Sequence, residues 1–372
     1  MNITFLLGNG FDKALGLNTG YSDFYKWYLE QPVDEKKDHI VKFKKEIKDY
    51  VDKVPDSKGY WSDAEIALGQ YTAEFEEDQV ELFLECYDDF CENLRKYLLI
   101  EDTRLTSEIA SNMIDCVAEQ IGHYYQEVDP IDQDVFEKIH KDNRDSGNYV
   151  NFVCFNYTSS IDKVFDGLKG KPLLSWKSSD NTTRVLNVRR LVHAHGFLDK
   201  FPIVGVCKPE NIANKAFLEN PLFKITMLKS QALTFSGELW RSDVQIVIAQ
   251  SRVICVYGMS LGETDSDYWD ILMKWLKEEN SRHLIVFWRN SKAKNLNVSV
   301  RGKFAEYRKV YHKLLSASEL TADEFEKFTE RIHIVLNSQK MFVLPENLKV
   351  PPKKSEDIEV ASVDEVKEFL GI

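Results

Sequence analysis

Among the residues of this 372-residue chain that could do chemistry, four small groups stand directly after, or at the close of, short apolar runs. Gly8-Asn9-Gly10-Phe11-Asp12 follows the run Ile3–Leu7. Glycines at such a place let the backbone approach a pyrophosphate, and the start of a following helix favours negative charge. Lys13 stands where the dinucleotide fingerprint has its third glycine, so a nucleotide loop and a plain strand–helix turn both stay open. Phe155-Asn156-Tyr157-Thr158 closes another apolar run. An asparagine there donates and accepts without charge, which suits ribose hydroxyls or a water beside a glycosidic bond, and it equally suits a helix cap.

His193-Ala194-His195-Gly196 ends a third run. Histidines at alternate positions would share one face of a strand, but no further metal ligand accompanies them, so no metal is expected. His195 is instead a candidate for proton transfer, or a structural histidine. The fourth group, Gly258-Met259-Ser260-Leu261-Gly262-Glu263-Thr264-Asp265, offers small residues, hydroxyls and a carboxylate to a ribose or phosphate, while Thr264 or Asp265 also fits a helix cap. Such groups at the C-terminal ends of strands mark where open α/β sheets place ligands.

The elements that would hold these groups are legible as hydrophobic periodicity. Apolar strand-like runs occur at Ile3–Leu7, Tyr149–Phe155, Leu191–Ala194, Ile203–Val206, Val244–Ala249, Val253–Tyr257, Leu284–Trp288 and Ile332–Leu336. Helical spacing predicts amphipathic helices at 34–54, closed by the Pro55 to Gly59 break, at Val80 to Leu98, at Ile109 to Tyr125 and from about Asp265. Capping-box patterns at Thr321–Glu324 and Ser362–Glu365 mark two late helix starts. The pattern predicts an α/β fold with a mainly parallel sheet in 1–30 and 146–345. A large helical insertion fills 31–145, and a linker with a C-terminal helix fills 346–372.

Composition limits the function classes. The chain is 43% hydrophobic, 12% aromatic and 29% charged, the balance of a globular protein. A net charge of −12 argues against nucleic acid as partner. No run is long enough to span a membrane, and the start lacks the layout of a secretory signal, so a cytoplasmic protein is expected. The 6 cysteines form no CxxC pair, which suggests neither a zinc ribbon nor a disulfide framework.

Taken as a set, Leu7-Gly8-Asn9-Gly10-Phe11-Asp12, Leu15-Gly16-Leu17-Asn18-Thr19, Tyr21-Ser22-Asp23-Phe24, Trp61-Ser62-Asp63-Ala64-Glu65, Phe155-Asn156-Tyr157-Thr158, His195-Gly196 and Gly258 through Asp265 resemble the bacteriophage abortive-infection AbiH family. That family is more distantly similar to sirtuin-like domains, which implies a Rossmann-like sheet with NAD as its substrate. By this resemblance Gly8, Asn9, Gly10 and Phe11 would line the phosphates, and Asp23 and Phe24 would match a covering loop. Asn156 and His195 would flank the nicotinamide ribose, Gly258 and Ser260 would meet the adenosine side, and Asn290 would match the asparagine on the adenine ribose. The chain lacks the four-cysteine zinc module of deacetylating sirtuins, and Thr158 replaces an acidic residue of their asparagine motif.

The resulting expectation is an antiphage effector that hydrolyses the nicotinamide–ribose bond of NAD, with Asn156 orienting water and His195 as base or hydroxyl partner. A nuclease or an ADP-ribosyl or nucleotidyl transferase in the same pocket is the alternative, and a non-catalytic nucleotide sensor is a third. A phage or host protein would supply the trigger, and the sequence leaves homo-oligomerisation open.

Overall fold

The computed structural model of the chain describes residues 1–352 apart from 54–60, 62, 144–146, 167, 169–170, 178–180, 199–202, 236–239, 291–298 and 317. The break between Pro55 and Gly59, Ser62 and the capping pattern at Ser362–Glu365 lie outside the described residues.

Seven strands, β1 (Asn2–Leu7), β2 (Asn148–Cys154), β3 (Leu174–Lys177), β4 (Thr183–His193), β5 (Val253–Tyr257), β6 (His283–Trp288) and β7 (Ile332–Leu336), form one sheet in the order β3-β4-β2-β1-β5-β6-β7. Every neighbouring pair is parallel except β3 with β4, and Phe5 at the centre lies opposite Phe152 on one side and Cys255 on the other. From β1 the chain adds β2 and β4 in one direction, then returns to add β5, β6 and β7 in the other. The winding therefore reverses between β1 and β5, the place where open α/β sheets bind their ligands.

Up to β4 the helices are α1 (Asn9–Leu15), α2 (Tyr21–Glu30), α3 (Asp38–Lys53), α4 (Ala64–Tyr71), α5 (Val80–Arg104), α6 (Ser107–Gly122), α7 (Pro130–Asp142) and α8 (Ser160–Asp166). After it come α9 (Pro221–Met227), α10 (Lys229–Phe235), α11 (Trp240–Ala249), α12 (Ser266–Glu278), α13 (Val300–Ser316) and α14 (Ala322–Glu326). Alternate residues of β1 face opposite ways, so Ile3, Phe5 and Leu7 pack on Phe11 of α1, Val117 of α6 and Phe136 of α7. Leu6 joins Val153 and Val256 against Val247 of α11, Trp269 of α12 and Val310 of α13. Each such buried side chain contributes about 1.5–3 kcal/mol relative to exposure.

The helical stretch predicted for 31–145 divides between two cores. Helices α3, α4 and α5 build an aromatic cluster with α2 and with residues from 198 to 228, in which Phe24, Phe43, Phe90 and Phe223 are fully buried. Helices α6 and α7 instead cover the sheet. Among the described residues no helix is long and apolar enough to cross a membrane.

The structure corrects four elements. Val244–Ala249 is not a strand but the end of α11. Val244, Val247 and Ile248 are buried while Ile246 is 42% exposed, a 3.6-residue pattern that so short an apolar run conceals. Ile203–Val206 is not a strand of the sheet: it makes an isolated bridge, Val206 to Leu228, in which Val206 N–H donates to Met227 O at 2.8 Å and Val206 O accepts from Lys229 N–H at 3.0 Å. The run at Leu191–Ala194 belongs to the 11-residue β4, whose half-exposed charged residues broke its apolar signal, and the short edge strand β3 was not predicted. The segment read as a linker from Pro345 packs against α1 as far as Pro352: Val350 is buried, its N–H donates to Leu15 O at 2.8 Å, and Arg104 binds the Pro351 carbonyl.

Candidate active site

The site begins where the loops after β1 and β5 touch. Gly8 N–H donates to Tyr257 O at 3.0 Å and Gly10 N–H to Gly258 O at 2.9 Å. A Cβ on Gly10 would sit 2.3 Å from Gly258 Cα, and Gly258 itself holds φ at +71° with Gly10 Cα 2.6 Å from where its own Cβ would be. The glycines at 10 and 258 are thus demanded by loop-to-loop contact. Two of the amides that the sequence offered to a phosphate are already engaged.

A polar clamp fixes the next loop. Asp12 is fully buried at the first turn of α1, where Ser160 and Thr158 donate to its two oxygens at 2.6 and 2.8 Å. Burial pushes its carboxyl above the usual range, while those hydroxyls and Thr19 and Asn156 oppose the rise. Asn156 Nδ2 donates to Gly8 O at 3.2 Å. Asn156 therefore joins the ends of β1 and β2, and Thr158 serves as a donor to Asp12. Asn9 Oδ1 accepts from Thr19.

His195 lies just past β4 with its ring edge-on to Phe155 and with Nε2 3.1 Å from Asp265 Oδ1, in a direction outside hydrogen-bond geometry. Asp265 is shared. Lys229, at the start of α10, donates to Asp265 Oδ1 at 3.2 Å, to Glu65 Oε2 at 2.8 Å and to Thr264 O at 2.9 Å. Glu65 arrives from α4, whose cap Asp63 accepts from the amides of Glu65 and Ile66. A carboxylate from the helical cluster and one from the β5 loop thus meet on one buried ammonium.

The environment separates their protonation. Burial pushes the Glu65 carboxyl up to about 8 despite Lys229, with Asp265 and Asp63 adding repulsion. Burial also works against charge on Asp265, yet Lys229 and His195 hold it well below the carboxylate range. Burial alone would lower Lys229, but Asp265 and Glu65 keep it well above its ordinary value. Burial and Lys229 lower His195 and favour its neutral ring. His193 plays no part in this network. Its Nε2 pairs with Asp162 of α8 at 2.9 Å, which separates the two histidines. Among the described residues no group of three or more His, Cys, Asp or Glu could hold a metal ion.

Asp12, Asp63, Glu65, Asn156, His195 and Asp265 line one cleft of about 1280 Å3 along the C-terminal edge of the sheet, with Lys229 behind its wall. Of the residues expected from sequence, Gly8, Asn9, Gly10, Asp12, Asn156, His195, Gly258, Ser260, Asp265 and Asn290 all face it. Phe11 does not: it is in the sheet core, edge-on to Phe342 at 5.0 Å. Phe24 is in the aromatic cluster against Phe90, and Asp23 lies in the first turn of α2 outside the lining, so Tyr21, Ser22 and Tyr25 cover the cleft instead. The cleft runs from the end of β4 to the end of β7, where Asn337 and Ser338 join its lining, five strand spacings or about 24 Å. Asp63, Glu65 and Asp265 line it, and so do Lys13, Arg289 and Lys349.

The family model described as bacteriophage abortive infection AbiH matches residues 4–288. The chain belongs to this family. The match runs from β1 through β6 and includes Glu65, Asn156, His195, Lys229 and Asp265, whereas Asn290 and Asn337 lie beyond it. No curated protein matches the chain.

Two central residues of this AbiH protein escaped the site reading. Glu65 was visible as the end of Trp61-Ser62-Asp63-Ala64-Glu65, whose acidic cap and carboxylate gave a signal of position but not of depth. Lys229, 164 positions from Glu65, had no local signal.

Proposed function

We propose that this AbiH protein is an antiphage effector of abortive infection whose sheet is Rossmann-like, in the sirtuin-like variant, and whose cleft cleaves the nicotinamide–ribose bond of NAD. One observation carries the reading. Asn156, His195, Gly10, Gly258 and Asn290 line a single cleft at the reversal of strand order, with carboxylates and cations both in its wall. Without β3, the strand order is that of dinucleotide-binding sheets. A cleft spanning about five strand spacings suits two nucleosides joined by a pyrophosphate better than a single one. Lys13 and Arg289 suit the phosphates, and the ionised Asp265 suits the positively charged pyridinium.

Breaking the glycosidic bond builds oxocarbenium character on the ribose, which a fixed carboxylate in a water-poor wall stabilises. Asn156, held by Gly8 O, is placed to orient water and hydroxyls. His195 lines the same cleft, is favoured in its neutral form, and is the proposed partner of a ribose hydroxyl. The test is incubation of the purified protein with NAD, with nicotinamide followed by chromatography. Release that falls at least tenfold in Asn156→Ala or His195→Ala supports the reading. No release in any assembly state, or full activity in both variants, rejects it.

The engagement of the Gly8 and Gly10 amides favours one second reading, a nucleotide sensor without turnover. It predicts NAD or ADP-ribose binding by calorimetry with the nucleotide recovered intact.

A further inference from the structure

We propose that Glu65 is the general base that activates the attacking water in this cleft, with Lys229 and Asp265 positioning it. The inference rests on the NAD-cleaving reading and assigns the proton to a residue that reading left unused. Glu65 is 6% exposed, yet it lines the cleft. Lys229 Nζ anchors Oε2 at 2.8 Å, and among the described residues no hydrogen bond reaches Oε1. Oε1 is also not among the sealed, partnerless atoms of the interior, and Glu65 lines the cleft, so Oε1 is the oxygen left for a water there. A carboxylate tied at one oxygen and open at the other has the form of a water-activating group.

The surroundings tune it for that task. Burial is the main cause that brings its proton affinity up to about 8, so the basic form is strong and still present near neutral pH. Lys229, Asp265 and Asp63 face it from α10, the β5 loop and the cap of α4. The phenols of Tyr21, Tyr87 and Tyr157 and the Cys91 thiol also sense its charge, and burial raises all four far enough to keep them neutral. His195 stands against Asp265 rather than Glu65, with Nε2 3.1 Å from Oδ1.

In the step, a water oxygen bonds to C1′ of the nicotinamide ribose while its proton passes to Glu65. The C1′–N bond breaks, its electron pair goes to the pyridinium nitrogen, and neutral nicotinamide leaves. Glu65 then returns the proton to solvent. The products are ADP-ribose, nicotinamide and one proton.

The experiment compares wild type with Glu65→Gln, which keeps an oxygen for Lys229. NAD affinity by calorimetry and nicotinamide release are measured from pH 6 to 9. Affinity within about threefold of wild type, with release lowered about 100-fold or more, is expected. Wild-type activity rises toward about pH 8, and the variant loses that rise. A variant with wild-type release and the same pH profile overturns the proposal while leaving NAD cleavage intact. A flat wild-type profile overturns it even if the variant does not fold. A wild type that releases no nicotinamide at any pH removes both readings together.

Discussion

Lys229→Met tests the buried network most directly, because it removes the ammonium while keeping an unbranched stem of similar length. Three hydrogen bonds disappear, to Glu65, Thr264 and Asp265. Breaking a buried pair costs about 3–5 kcal/mol, since a charge is left without its partner. Glu65, raised to about 8, is mostly protonated at pH 7, so the strain falls on Asp265 and the lower figure of about 3 kcal/mol applies. At about 2.1 cal/mol/K of unfolding entropy per residue, a chain of 372 residues unfolding as one unit loses about 4 °C in Tm.

The loss has a definite pH direction. With Lys229 present, Asp265 is held low, and its stabilisation persists above 3.8 and fades only as pH falls through the lowered value. Without the ammonium, burial raises Asp265, and the fold then loses stability as pH climbs above about 4. The gap between wild type and variant therefore widens from pH 5 to pH 8. Thermal and urea unfolding at both pH values measure it. A variant that melts within about 1 °C of wild type at pH 8, or a gap as large at pH 5 as at pH 8, refutes the reasoning.

Gly10→Ala places a methyl 2.3 Å from Gly258 Cα, so the two loops must part, at about 1–3 kcal/mol and with weakened nucleotide binding; calorimetry showing undisturbed stability and affinity would contradict the contact. Burial lowers His283 to about 4, so its contribution is complete above 6.5 and is lost as pH falls toward 4, by up to about 3 kcal/mol; urea titrations should show a shallower acid limb in His283→Gln. Ile246→Lys, on the exposed side of α11, should change stability by no more than about 0.5 kcal/mol, while Ile248→Lys buries a charge and costs several; equal effects would count against the helix at 240–249. Asp12→Ala strips the acceptor from the Ser160 and Thr158 hydroxyls and should cost about 2–4 kcal/mol by urea unfolding, whereas a neutral change would show that the clamp is dispensable.

The sequence by itself determined the central strands and most of the cleft wall. β1, β2, β5, β6 and β7 are buried on both faces, so they read as mostly apolar runs, interrupted only by Thr4, Asn151 and His333 in the interior of β1, β2 and β7, and the polar or glycine-rich group after β1, β2 and β5 marks where each leaves the sheet. α5 was legible because 25 residues repeat one apolar face. α11 was not, because in a short run a helical stripe and a buried strand look alike.

Tertiary structure decided what the glycines and the asparagine do. Gly10 and Asn156 read as ligand-facing residues, yet Gly10 also seats the β5 loop and Asn156 also holds the Gly8 carbonyl. Phe11 and Phe24 sit within the same motifs but point into two different cores, since neighbours on a helix turn about 100° apart. The packing of α4 and α10 against the loop after β5 brings Glu65, Lys229 and Asp265 together from three distant segments. Each is an ordinary charged residue in the chain, and only the removal of water around all three turns them into one coupled group.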